Sequence, residues 1–398
     1  MSNPTPNPNK TIALLSISQA VVGSQTALIM SVGALVGISL APDPSLATIP
    51  VTSMVIGTAL SAGPATFLIH KLGRKKAFIF GASLSIVAGL IATIGIFLSS
   101  FIIFCIALAF GGASAAFGQQ YRFAAADSVP DKKKGSAISW VLAGGVIAGF
   151  VGPFMARWGR ELFVGAEYAG SFIALSGIAM LGIAILSQVD LTNMHDEEKN
   201  EASKTPFREV LRSPDIFIPM ISGMVTYALM TFIMVAAPLA MVVVCGHSKD
   251  AATTAIQWHI ISMFAPSFFT AFIITHIGAR AMTGIGLALI LGSVLIALNG
   301  ISINHFNFAM ILLGIGWNFG FIGSTALLTQ GYRPQDAMRV QALNEQLVFG
   351  TMAVASIASG ILLQTLGWQA INVFAIPLIT ATLALLAFGD WYDRNKKN

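Results

Sequence analysis

Charge is what this sequence has least of. Asp, Glu, Lys and Arg make up 10% of its 398 residues, against roughly a quarter in a soluble protein. With 55% hydrophobic residues and a mean hydropathy of +0.78, that scarcity excludes a water-soluble fold and a disordered chain alike. Cysteine is nearly absent. Cys105 and Cys245 both sit in apolar surroundings, and two such thiols build neither a disulfide framework nor a zinc knuckle. No G-x-x-x-x-G-K-[ST] occurs, which excludes ATP hydrolysis by a P-loop. No Ser-His-Asp or metal-ligand spacing stands out, so no enzymatic activity, cofactor or metal is expected. The first apolar run lacks a basic leader, and no cleavable signal peptide is expected.

What the chain does have is apolar length. Twelve runs approach the ~20 residues that a helix needs to cross ~30 Å of hydrocarbon. They cover 11–37, 47–70, 77–98, 101–128, 136–158, 169–189, 215–245, 252–275, 281–300, 304–330, 340–365 and 370–390. In lipid only helices or a closed barrel satisfy the backbone, and runs this long without alternation are helices. With both termini in the cytoplasm, eighteen of the 22 Lys and Arg residues fall in cytoplasmic segments. Arg157, Arg160 and Lys249 fall on the other side, and Arg122 lies within a span. This bias sets the orientation. It also accounts for the sequence pI of about 9.3 without nucleic acid as a partner. Trp140, Trp158, Trp258, Trp368 and Trp391 lie near span ends, as an interfacial aromatic belt requires, while Trp317 lies mid-span.

The longest polar stretch, 190–214, follows the sixth run and holds His195 to Glu201. It divides the chain into an N-terminal six-helix bundle (1–189), a cytoplasmic linker (190–214) and a C-terminal six-helix bundle (215–398). The halves echo each other at an offset near 205. Lys71-Leu-Gly73-Arg74-Lys75 with Gly81 answers His276-Ile-Gly278-Ala-Arg280 with Gly286, and Pro130-Asp131 answers Pro334 and Asp336. Together with the count, the echoes argue a parallel two-fold repeat.

On these residues the chain resembles the major facilitator superfamily along essentially its whole length. That family's loop between spans 2 and 3 carries roughly G-x-x-x-D-R-x-G-R-K. Here the stretch runs from Thr66 to Lys75, with the basic-Gly-basic part kept and His70 in place of Asp. Asp127-Ser-Val-Pro130 matches the family's Asp-x-x-Pro at the end of span 4. The antiporter pattern of span 5 is met only by Gly149 and Gly152-Pro153, and the arginine that antiporters often carry high in span 4 is missing. A narrower resemblance rests on Ser18-Gln19-Ala-Val-Val-Gly23-Ser-Gln25, Tyr121-Arg122-Phe-Ala-Ala-Ala-Asp127, Tyr227-Ala-Leu-Met-Thr231, Met263-Phe-Ala-Pro266 and Gly316-Trp317-Asn318. It points to a bacterial subgroup of largely unassigned transporters, some described as riboflavin importers. The resemblance implies twelve helices in two pseudo-symmetric bundles, with spans 1, 4, 7 and 10 around a central cavity.

Of seventeen carboxylates, only Asp127 and Glu345 lie within or at the edge of the hydrocarbon, where an unpaired charge costs several kcal/mol. Arg122 is about 10 Å in from the end of span 4 at 1.5 Å per residue. It is either an anion-binding group in the path or part of a cytoplasmic salt-bridge network. Glu345 near the start of span 11 is either a proton-coupling carboxylate or a gate partner of the basic loop Lys71–Lys76. Asp127 is expected to pair with Arg74 or Arg122. His259, the one intramembrane histidine, suits a proton relay or a helix–helix hydrogen bond. Gln19, Tyr227, Trp317, Asn318 and Thr325 are the expected substrate contacts, together with Arg122. Uncharged polar groups and aromatics suit a polar, flat organic solute better than a bare metal ion. The alternative for each of these polar residues is that it joins helices. Gly145-x-x-x-Gly149 marks close helix packing.

The expectation is a monomeric secondary transporter of the bacterial inner membrane, surrounded by lipid. It moves a small organic solute by alternating access, as a proton-coupled importer of a riboflavin-like or other polar aromatic or anionic metabolite. A proton-coupled exporter is the alternative within the class. A non-transporting membrane receptor or assembly factor is the alternative outside it and requires a collapsed apolar middle.

Overall fold

The computed structural model describes residues 8–191 and 207–397, and the described residues form helices without strands. Ten helices are long and apolar enough to cross a membrane by length and composition. The fold nevertheless has twelve spans, because two regions depart from the one-helix-one-span pattern. Span 8 is split into Lys249–Phe264 and Ser267–Ile277, each too short to count alone. Ala337–Lys397 holds both span 11 and span 12, separated at Gly367, where φ is 81°. The other spans are Pro8–Leu40, Ile49–Leu72, Arg74–Phe97, Phe101–Asp127 (span 4, interrupted at Gln119–Gln120), Asp131–Gly159, Ala169–Ser187, Pro214–Leu239, Ala279–Asn299 and Ile303–Gly331. Most of the expected linker lies outside the described residues. Its described end carries a short helix, Phe207–Arg212.

The helix starts are written in the sequence. Ser100, Ser248 and Ser302 each accept a hydrogen bond from the backbone amide three residues on, satisfying one of the free N–H groups at the start of spans 4, 8 and 10. Pro50 and Pro214 occupy the first turns of spans 2 and 7, where no N–H is needed. The sharp turns into spans 3 and 9 are made by Gly73 (φ 79°, ψ 154°) and Gly278 (φ 84°, ψ 155°). These are the two glycines that the sequence echo pairs. Their near-identical left-handed backbone, closed to most side chains, is the two-fold repeat seen at one residue.

Spans 1–6 and 7–12 form two bundles that meet along spans 5 and 8, spans 2 and 11, and spans 1 and 7. Small residues let these helices approach. A Cβ on Gly145 would lie 2.5 Å from the Phe264 ring, and one on Gly149 would lie 2.9 Å from Ile261. The outer surface exposes Leu60, Phe67, Ile102, Phe272 and Phe308, side chains that lipid solvates as well as a protein core does. Trp140, Trp158, Trp258 and Trp391 are also exposed, as an interfacial belt requires. Trp368 differs: it is buried, its ring centroid 5.1 Å from that of Phe306, so it packs the joint between spans 11 and 12 rather than facing the interface.

Candidate functional site

A cavity of about 210 Å³ lies between the bundles. Its wall from the C-terminal bundle is aromatic. Trp317 and Phe321, one turn apart on span 10, stack with centroids 5.4 Å apart and planes 11° from parallel. Tyr227 on span 7 stands edge-on to both at 5.2 and 5.0 Å, and Phe264 meets Trp317 at 6.2 Å. The N-terminal wall carries Gln19 of span 1 and Gln119, Gln120 and Arg122 of span 4 among apolar residues such as Met30, Met54 and Leu142. The interruption of span 4 at Gln119–Gln120 falls at the cavity, immediately before Arg122.

Among the described residues the Arg122 side chain has no hydrogen-bond partner. Its Nε is buried without a partner, and its guanidinium carbon lies 4.8 Å from the Phe123 ring centroid. Glu345 on span 11 lines the same cavity from the other bundle. It forms no ion pair with the basic loop 71–76 among the described residues and instead lies within electrostatic reach of Arg122. The pair of helices that bears the two charges belongs to opposite halves, so the field between them spans the cavity.

Of the expected substrate contacts, Gln19, Arg122, Tyr227 and Trp317 line the cavity together. Asn318 does not. It is fully buried behind the wall, where its Nδ2 donates to the Met263 carbonyl and to Ser267 Oγ (both 2.7 Å) while its Oδ1 accepts from Thr270 Oγ1 at 2.6 Å. Pro266 breaks span 8 there, leaving carbonyls without helical partners, and Asn318 satisfies the Met263 carbonyl. Asn318→Ala is therefore expected to destabilise the protein by about 1–3 kcal/mol, because a buried acceptor loses its donor. A lowered melting temperature in detergent, with solute affinity little changed, is the outcome that checks it.

Thr325 is exposed away from the cavity and donates to the Phe321 carbonyl at 2.8 Å, as helix-borne threonines do. His259 is fully buried, with Nδ1 donating to the Met310 carbonyl at 2.9 Å, so it joins spans 8 and 10 and does not reach the cavity. Asp127 pairs with Arg74 at 2.5 Å, fixing the loop between spans 2 and 3 to the end of span 4. Phe321 and Phe264 are among the cavity residues that sequence reasoning missed, as are Phe123, Phe349 and Asn344. Phe321 carried a signal, lying four residues from Trp317 on the same helix face. Phe264 carried none, since only the packing of span 5 on span 8 brings it inward.

At the end of the molecule away from the termini the halves are tied together. Arg160 pairs with Asp250 at 2.8 Å, Lys249 with Glu167 at 2.6 Å, Arg157 donates to Gln257 at 2.9 Å, and Thr52 donates to Ser356 at 2.7 Å. The first three use all three cations that the loop count leaves on this side. The two exposed ion pairs, Arg160–Asp250 and Lys249–Glu167, each contribute only ~0–1 kcal/mol, so this part of the closure is easily reversed. Gly360 of span 11 sits where a Cβ would collide with Thr48 Oγ1 at the head of span 2. Gly360→Leu is expected to wedge this end open. Labelling of Thr52→Cys by a membrane-impermeant thiol reagent should then rise several-fold.

The family model described as Major Facilitator Superfamily matches residues 15–350. The chain belongs to this superfamily. Among curated proteins it is similar to the riboflavin transporter RfnT of Brucella anthropi, 42% identical over 379 residues that cover 95% of each chain. The uncharacterized MFS-type transporter YdeG of Bacillus subtilis is 26% identical, covering 95% of this chain and 90% of that one. Among solved structures, the nucleoside transporter NupG superposes with a TM-score of 0.74 at 13% identity, covering 95% of this chain and 100% of that one. At that identity the likeness shows the fold alone. Superfamily membership makes the protein a multi-pass membrane transporter of a small molecule.

Proposed function

We propose that this transporter imports a flat aromatic solute of the riboflavin kind by alternating access, with a proton carried on Glu345. The observation that carries the reading is the cavity itself: an aromatic cluster of Tyr227, Trp317 and Phe321 on one wall, with the polar groups of Gln19 and Arg122 on the other. A planar ring lies against the first, and its carbonyl or hydroxyl groups meet the second. Aromatic contacts contribute ~0.5–1.5 kcal/mol beyond area burial. The relative at 42% identity bears the name of a riboflavin transporter, which supports this class of solute. The reversible ties at the end away from the termini support rocking of residues 1–189 against 215–398, with 190–214 as the linker. The cation bias supports an inner-membrane location with both termini in the cytoplasm, and a monomer suffices because the cavity is complete in one chain.

The test is ligand binding by the purified protein in detergent. A saturable thermal shift with riboflavin, weakened about tenfold or more in Trp317→Ala, is the expected result. No response to riboflavin, with a shift from nucleosides, organic anions or drugs, removes flavins from the proposal and leaves the superfamily assignment standing.

A further inference from the structure

We propose that, while Glu345 carries no proton, the cavity selects neutral aromatic solutes over their phosphorylated forms, and that the Glu345 carboxylate is the group that rejects the phosphate. The inference rests on the transport reading of the same cavity and narrows its substrate class. Its basis is the charge inventory. Among the described residues that line the cavity, Arg122 and Glu345 are the ones of Arg, Lys, Asp or Glu type, one from each bundle and of opposite sign when ionised. They lie within electrostatic reach of each other without forming a contact ion pair. With both ionised, the lining is neutral as a whole, with a gap between its two charges. Hydrogen-bonding groups of a neutral solute bridge such a gap, an acceptor meeting the Arg122 guanidinium and a hydroxyl or imide N–H meeting the Glu345 carboxylate.

A phosphate monoester changes this balance. It brings a charge of about −1.5 to −2 at neutral pH. Arg122 alone would welcome it, because a guanidinium with free donors is a good phosphate ligand. Arg122 is already offset by Glu345, however, so the incoming dianion meets one cation and one carboxylate in a space that screens charge less well than bulk water does. Like charges brought together in an interface cost several kcal/mol. The remaining polar lining supplies the amides of Gln19, Gln119, Gln120 and Asn344, the hydroxyls of three threonines and Tyr227, and no second cation. Specificity of this kind comes from a repulsive element placed against the competitor, and Glu345 is in position to be that element.

The experiment measures competition at about pH 8, where carboxylates are ionised, using pairs of solutes that differ only by a phosphate: riboflavin and flavin mononucleotide, adenosine and AMP, uridine and UMP. For whichever neutral member binds the wild-type protein, its phosphate is expected to bind at least about 100-fold more weakly. In Glu345→Gln the ratio of the two affinities should fall at least about tenfold, whatever happens to the absolute affinity of the neutral member. A phosphate that competes as well as its neutral partner in the wild type overturns the proposal, and so does a ratio unchanged in Glu345→Gln. Failure of riboflavin with success of another neutral member removes the flavin reading while supporting the charge selection. Failure of every neutral solute overturns both.

Discussion

Arg122→Gln is expected to weaken solute binding by on the order of 10- to 100-fold. Hydrogen bonds from a charged donor contribute about 1.5–3 kcal/mol, and each ~1.4 kcal/mol is tenfold in affinity. The guanidinium is well placed to supply that energy because, among the described residues, its Nε is buried without a hydrogen-bond partner and it lies against the Phe123 ring. Replacing it by glutamine breaks no contact ion pair among the described residues and keeps most of the side-chain volume, so folding should survive, with a melting temperature close to that of the wild type. Equilibrium binding of riboflavin to the purified variant is the measurement. Binding that persists while exchange across the membrane slows would instead make Arg122 part of the gate.

Glu345→Gln is expected to abolish pH-driven accumulation while solute exchange continues. A carrier that moves one proton with each solute molecule gains about 1.4 kcal/mol from each pH unit of gradient, enough for a tenfold accumulation. With acid outside, the carboxyl takes up a proton facing outward and releases it facing inward, so the gradient drives entry. The amide cannot bind that proton, and the accumulation ratio should fall to about one. Proteoliposomes loaded at neutral pH and diluted into acid buffer read the driven component, and counterflow between equal pH values reads the exchange. Loss of both would place Glu345 in the structural frame of span 11. Undiminished accumulation would assign coupling to another group.

The fold was legible in the sequence because the membrane removes choices. A run of ~20 apolar residues in lipid has one way to satisfy its backbone, and charge placement in the loops orients it. The repeat was legible as well, since Gly73 and Gly278 must both turn through a left-handed conformation. The two irregular regions were less so. Span 8 reads in the sequence as one run, 252–275, although Pro266 lies within it, and nothing local told that Asn318, 52 positions later, would mend a break there. The same difficulty recurs for each polar residue inside a span. An asparagine or histidine that faces a substrate and one that joins two helices look alike until the neighbouring helix is in place.

The sequence by itself thus determined a helical membrane protein of twelve spans, its division into two halves, and Arg122 and Glu345 as charges in need of a role. Hydrophobic length, loop charge and the cost of burying an ion are properties of the chain and its solvent, so they need no tertiary information. The tertiary structure decided which polar groups reach the cavity, because that depends on helix rotation and contact between segments far apart in sequence. It turned Asn318, Thr325 and His259 away from the cavity, brought Phe264 and Phe321 to it, set Arg122 and Glu345 across it, and joined Arg157, Arg160 and Lys249 to the opposite half.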